Sequence, residues 1–257
     1  MMFTGLKVIT TLSFLVMVIV NALANALPIN GVGTGDVSDS YPDLFAPAGL
    51  TFAIWGLIYL LLGAYIVYQI GILGTSTKLY QEPKWRNVAI FFTISSIANA
   101  LWIFAWHYGF IGVSLVLMVS ILVCLIAIME NLRSEDTWLK LPFSVYFGWI
   151  TVATIANVTT WLVSIGWQGF GIPEATWTVI ILIVGLLIST VTMLSHKDAA
   201  YGLVIIWAYA GIGIKHVSDS GFSWAYPIII AAVAISIVVL IAAQIYLRTS
   251  GRLHKQV

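Results

Sequence analysis

The stretch "YFGWITVATIAN", residues 146–157, places Trp149, Ala153 and Asn157 four residues apart inside a long apolar run. In a helix those three share one face. An indole, a methyl group and an amide therefore line one stripe of a segment whose other residues suit hydrocarbon. The run is continuous, not alternating, which favours a helix over a strand. Backbone groups satisfied within the segment are what a bilayer demands.

Composition extends that reading to the whole chain. Of 257 residues, 61% are hydrophobic and 8% charged, whereas soluble domains carry about 25% charge. So much apolar surface implies the bilayer as solvent. A net charge of +1 and the absence of a long basic run argue against nucleic acid as a partner. One cysteine, Cys124, excludes an intramolecular disulfide and a cysteine-rich metal site. Trp102, Trp149 and Trp207 lie well inside apolar runs, where a headgroup belt does not explain them.

A spanning helix needs roughly 20 apolar residues. Eight segments qualify, at about 8–27, 48–70, 87–107, 109–129, 142–165, 175–195, 199–215 and 224–247. The seventh is the shortest. Pro47 and Pro142 suit helix starts, where a missing N–H does no harm. The connections are short except "PINGVGTGDVSDSYPDLFA", which is polar, Gly-rich and carries Asp36, Asp39 and Asp43. Eight spans with the N-terminus inside put Lys7, Lys78, Lys84, Arg86, Arg133, Lys140, Lys197, Arg248, Arg252 and Lys255 on one side, against Lys215 alone on the other. The acidic residues divide five and five. The positive-inside rule counts only the basic residues, so both termini are expected in the cytoplasm, with the cell membrane as the location. The first segment also reads as a leader: Lys7, an apolar run, then "ALANALP" with Ala24 and Ala26 as the small cleavage pair.

The ladder at 146–157 has counterparts. In "FAIWGLIYLLLGAY", residues 52–65, Trp55, Tyr59 and Gly63 repeat the spacing. In "NALWIFAWHYG", residues 99–109, Asn99, Trp102 and Trp106 form one stripe. With Tyr146, Trp149, Ala153 and Asn157, these stretches resemble the tryptophan-rich sensory protein (TspO/MBR, translocator-protein) family, over about residues 1–165. Two prolines usual in that family are replaced by Ala53 and Val145, with Pro142 one turn before the latter.

The resemblance implies an all-α polytopic membrane protein. A five-helix bundle over 1–165 would be joined in one integral unit by a three-helix extension over 166–257. It further implies a pocket for a flat hydrophobic ligand, of tetrapyrrole, sterol or isoprenoid-like type, used in sensing or translocation. Trp55, Tyr59, Asn99, Trp102, Trp149 and Ala153 would line it. A tetrapyrrole would enter as ligand, not as resident cofactor. The runner-up is a porphyrin-degrading enzyme using the same pocket, with Trp55 as the residue to suspect. A scaffold whose stripes only pack helices is the third reading, since small residues and Asn commonly mediate packing in membranes. The expected partners are the bilayer and the hydrophobic small molecule; a homodimer is compatible with this reading.

Other chemistries find little support. Glu130, Lys197, Asp198, Lys215, His216 and Asp219 fall at helix ends, as solvated charges do, which argues against a proton relay. Lys215 is at an edge and the third segment has no carboxylate, so a retinal Schiff base is not expected. His107, His196, His216 and His254 lack ligand spacing, although axial ligation by His107 or His216 stays open. The series Val204, Tyr209, Lys215 and Leu240, Tyr246, Arg248 match loose cholesterol-type patterns.

Overall fold

A computed structural model of the chain describes residues 2–27, 29–71 and 82–253. The helices are α1 (Met2–Ala26), the short α2 (Thr34–Asp39), α3 (Ile54–Ile70), α4 (Pro83–His107), α5 (Ile111–Asn131), α6 (Thr137–Ser164), α7 (Glu174–His196), α8 (Ala199–Val217) and α9 (Pro227–Leu253). Among the described residues eight helices, all but α2, are long and apolar enough to cross a membrane. The protein is therefore an all-helical, multi-pass integral membrane protein. Lys78, His254 and Lys255 lie outside the described residues.

Helix starts differ from expectation in two places. Pro142 is not at the start of its helix; α6 begins at Thr137 and the proline sits in its second turn. One hydrogen bond, to the Trp138 carbonyl, is forfeited there. Pro83 and Pro227 are the prolines that open helices, α4 and α9. Pro47 instead precedes a tight 3-10 turn over Gly49–Ala53 that runs straight into α3.

α6 is the centre of the bundle. Of its most apolar stretch 72% is buried, against 28% for α1, α7 and α9, whose outer faces remain for lipid. It packs on α3, α5, α7 and α8, while α4 joins α5 to α1. α8 is held between α6, α7 and α9 by glycines. A Cβ on Gly148 would come within 2.9 Å of Val204 Cβ and 3.0 Å of the Tyr201 carbonyl oxygen. One on Gly211 would come within 2.0 Å of Thr51 Oγ1. Close backbone approach through small residues is a usual way for helices to associate in lipid. Three ring side chains of α8 bond to neighbouring elements. The Tyr209 hydroxyl donates to the Leu182 carbonyl at 2.7 Å, Tyr201 to Thr151 Oγ1 at 3.2 Å, and the Trp207 indole N–H to the Thr51 carbonyl at 3.0 Å. Val204 and Tyr209 are buried, so the first cholesterol-type pattern does not face lipid.

The connections close the two ends. At one end, Lys84 pairs with Glu135, His196 with Glu130 at 3.0 Å, and Arg133 donates to the Ser195 carbonyl at 3.1 Å. At the other, Lys215 pairs with Asp39 at 2.9 Å and His216 Nε2 donates to the Leu44 carbonyl at 2.9 Å. His216 and Asp198 are buried, contrary to the solvated ends expected for them. Asp198 caps α8 by accepting from the Tyr201 N–H at 3.1 Å. The polar segment before Pro47 is no free loop either. It forms α2, and Leu44, Phe45 and Ala46 are buried. Asp43 fixes the chain there: its Oδ1 accepts from the N–H groups of Phe45 (2.9 Å) and Ala46 (2.8 Å).

Two predictions follow from this packing. Gly148→Ala should lower stability by about 1–3 kcal/mol, the usual cost of overpacking, because the atoms it meets are backbone and Cβ. Gly56→Ala, with nothing within 4 Å of its Cβ, should be neutral. Thermal unfolding in detergent checks the pair, and equal effects would refute the close α6–α8 contact. The second concerns pH. Burial raises the Asp43 carboxyl from 3.8 to about 6, against the pull of its two N–H donors and Lys215. The folded chain holds this proton longer than the unfolded one, so stability falls as pH rises from about 4 to about 6 and then levels off. Unfolding temperatures of the wild type should decline across that window relative to Asp43→Asn; a constant difference would contradict the assignment.

Candidate ligand-binding site

Three spans bring their aromatic stripes to one interior. Trp55, on the first turn of α3, stacks on Tyr59 with centroids 5.5 Å apart and planes 18° apart. It meets Trp149 edge-on at 6.2 Å, Tyr146 edge-on at 6.0 Å and Trp102 at 6.5 Å. Trp102 in turn stacks on Trp106 at 5.6 Å, and Phe52 meets Trp149 edge-on at 5.7 Å. Stacked and edge-to-face pairs are the favoured aromatic geometries.

These rings wall a cavity of about 40 Å³. Trp55, Trp102, Trp149 and Ala153 are on its wall, together with Phe52, Trp106, Met118, Ala156, Asn157 and Thr160. Thr34 and Ser38 of α2 close it at one end. Among the described residues none beyond Thr160 takes part. Tyr59 lies on the other side of the Trp55 ring, in a cleft of about 270 Å³ shared with Asn21 and Asn25 of α1. Thr34, Phe52 and Trp55 line both spaces, and the two rings stand between them.

Asn99 is not on either wall. It is fully buried, accepts from Asn21 Nδ2 at 2.7 Å and donates to the Tyr146 hydroxyl at 3.1 Å. Its amide links α1, α4 and α6 behind the aromatic wall. Asn157 does line the cavity, and its Oδ1 lies 3.1 Å from Ser114 Oγ. The indole N–H groups of Trp102 and Trp149 and the Tyr59 hydroxyl are buried with no hydrogen-bond partner among the described residues.

α2 is clasped to the end of α4. His107 Nδ1 donates to the Ile29 carbonyl and its Nε2 accepts from Thr34 Oγ1, both at 3.1 Å. Both ring nitrogens are thereby used, which leaves none for an axial metal bond. The Trp106 indole donates to the Thr34 carbonyl at 3.1 Å. Among the described residues no three His, Cys, Asp or Glu side chains gather as a metal set.

A family model described as TSPO-like protein matches residues 7–246. The chain belongs to the TSPO-like protein family. The match takes in the three C-terminal spans as well as the first five, among which three carry the motifs. Comparisons with curated proteins and with solved structures gave no match. In this TSPO-like chain, the resemblance implied a pocket lined by Trp55, Tyr59, Asn99, Trp102, Trp149 and Ala153; the structure puts Trp55, Trp102, Trp149 and Ala153 on one cavity wall and Tyr59 and Asn99 off it. Ala156, Asn157 and Thr160 continue the same stripe of α6, and Phe52 sits three residues before Trp55, so helical periodicity could have added them. Met118, Thr34 and Ser38 arrive from elements with no matching pattern.

The link through Asn99 is open to test. Tyr146→Phe removes the acceptor of the Asn99 amide and should cost about 1 kcal/mol, the scale of an interhelical hydrogen bond in lipid. In an Asn99→Leu background the same change should cost less, as a double-mutant cycle of unfolding temperatures would show.

Proposed function

We propose that this membrane protein binds a flat hydrophobic molecule of tetrapyrrole, sterol or isoprenoid-like type inside the bundle, for sensing or translocation. The observation that carries the reading is the convergence of Trp55, Trp102 and Trp149 on one cavity, with two indole N–H groups left without partners. Broad apolar contact with a few directed polar groups is what a small-molecule site offers. Among the described residues the cavity wall holds no carboxylate, amine or imidazole, which favours binding over acid–base catalysis. We place the protein in the cell membrane with both termini cytoplasmic, on the ten-to-one division of basic residues.

At about 40 Å³ the cavity is far smaller than the roughly 300–1,000 Å³ of ligand pockets. Binding in this reading requires the Phe52 and Trp55 rings to turn aside. The cavity then merges with the cleft beside α1, and the two together reach the lower end of that range. The ligand enters between α1 and α3, which make few contacts with one another. Trp55 suits such movement. It is only half-buried and follows the junction between the tight turn and α3.

Ala153→Leu tests the proposal. The added bulk fills the cavity, and the bundle should tolerate about 1–3 kcal/mol of overpacking. Quenching of Trp fluorescence by protoporphyrin IX should weaken by about tenfold or more, a loss of about 1.4 kcal/mol, with the unfolding temperature lowered only modestly. Undiminished quenching in a folded Ala153→Leu protein would remove the cavity as the site.

A further inference from the structure

A second space lies at the end of the bundle that holds the 27–48 segment. Its volume is about 450 Å³, and it shares no lining residue with the aromatic cavity. It is bounded by residues 42–45, the end of α6, the 166–172 connection and the start of α7. Gly166, Gln168 and Glu174 at its rim are exposed.

At its base is Asp43, which is 7% exposed. The turn uses only Oδ1; Oδ2 is buried and has no partner among the described residues. Glu174, the first residue of α7, lines the same cleft and acts on Asp43 as a like charge. The nearby cation is already committed, since Lys215 pairs with Asp39 at 2.9 Å. Among the described residues neither Asp43 nor Glu174 makes an ion pair. Two carboxylates thus share a partly enclosed space with no positive charge of their own.

Two indoles complete the wall. Trp167 and Trp177 have centroids 5.1 Å apart, with planes at 57°. Trp177 is fixed by donating its N–H to the Gly169 carbonyl at 2.7 Å. Gly169 has φ +60°, and a Cβ there would come within 2.8 Å of Trp177 Nε1, so glycine is what lets the loop fold over the ring. Aromatic walls beside a carboxylate are the means by which proteins hold ammonium ions. A metal ion would want more: at least a third hard ligand, and no such set exists among the described residues. The end of α6 brings the negative pole of its dipole to the cleft, and Glu174 offsets the positive pole of α7.

We propose that this cleft binds an organic ammonium ion, with Asp43 as the deep anion, Glu174 at the mouth and Trp167 and Trp177 as the aromatic walls. The cation is either a free amine or the headgroup of a lipid. Both present the same chemistry to the carboxylate.

The test uses the full chain in nanodiscs of phosphatidylglycerol, which carries no ammonium. Tetramethylammonium chloride is titrated against sodium chloride at equal ionic strength, reading Trp fluorescence and unfolding temperature. The expected result is a saturable response to tetramethylammonium that sodium does not give. Asp43→Asn keeps the acceptor for Phe45 and Ala46 but removes the charge, and should weaken the affinity by about tenfold or more. Trp167→Leu should weaken it by several-fold. If Asp43→Asn does not fold, Glu174→Gln with Trp167→Leu carries the comparison. Suppression of the response in phosphatidylcholine nanodiscs assigns the site to a lipid headgroup; persistence there assigns it to a soluble amine. A response no greater than that to sodium, or equal affinity in the wild type and the folded variants, overturns the proposal.

Discussion

Asn99 is fully buried on α4, so its amide must find partners within the protein. It accepts from Asn21 and donates to Tyr146, and this single side chain ties α1, α4 and α6 together. An unpaired amide in that position would be costly. The aromatic wall is built on the result. Tyr146, held by Asn99, meets the edge of Trp55, and Trp55 carries Tyr59 and faces Trp102 and Trp149. Polar bonding inside the bundle and stacking at its centre are therefore successive layers of one arrangement.

The C-terminal helices are joined to that core by shape. Gly148 and Gly211 admit α8 so closely that a methyl group would collide with backbone, Cβ or hydroxyl atoms. Once α8 is seated, the Tyr209 hydroxyl finds a carbonyl on α7, the Trp207 indole one before α3, and the Tyr201 hydroxyl the Thr151 hydroxyl on α6. The main cavity nevertheless draws nothing from these helices. The contribution of residues 166–253 to that cavity is support from behind, while their connection to α6 forms a cleft of its own.

Much of this was legible in the sequence, for physical reasons that also explain the rest. Continuous apolar runs must be helices in a bilayer, and basic residues mark one side, so the eight spans could be read directly. α8 gave the shortest apolar run because, packed between α6, α7 and α9, it carries Tyr201, Tyr209 and His216. α2 was missed because its six residues have no apolar stripe; Asp36, whose carboxylate accepts from the Gly33 N–H at 3.0 Å, was the local signal. Helical spacing correctly grouped Trp149 with Ala153 and Trp55 with Tyr59. It cannot say what a shared face looks upon. Asn99 shares its stripe with Trp102, yet its amide is answered by two neighbouring helices, whereas Asn157 borders the cavity. His216 shows the same limit. Its place at a helix end suggested solvent, but the Leu44 carbonyl and the rings of Phe222 and Tyr226 enclose it.

The partition formed by Phe52 and Trp55 bears on time as well as space. A chamber closed by its own side chains does not fill at the rate at which solutes collide with it. On the proposed binding reading, entry would wait for the rings to leave, so the observed rate would climb with solute concentration only until ring departure became the slow step, and would then saturate. Exit would obey the same clock. An occupant held by modest contacts would still be slow to escape, and long residence would reflect the hinge of a tryptophan instead of strong affinity.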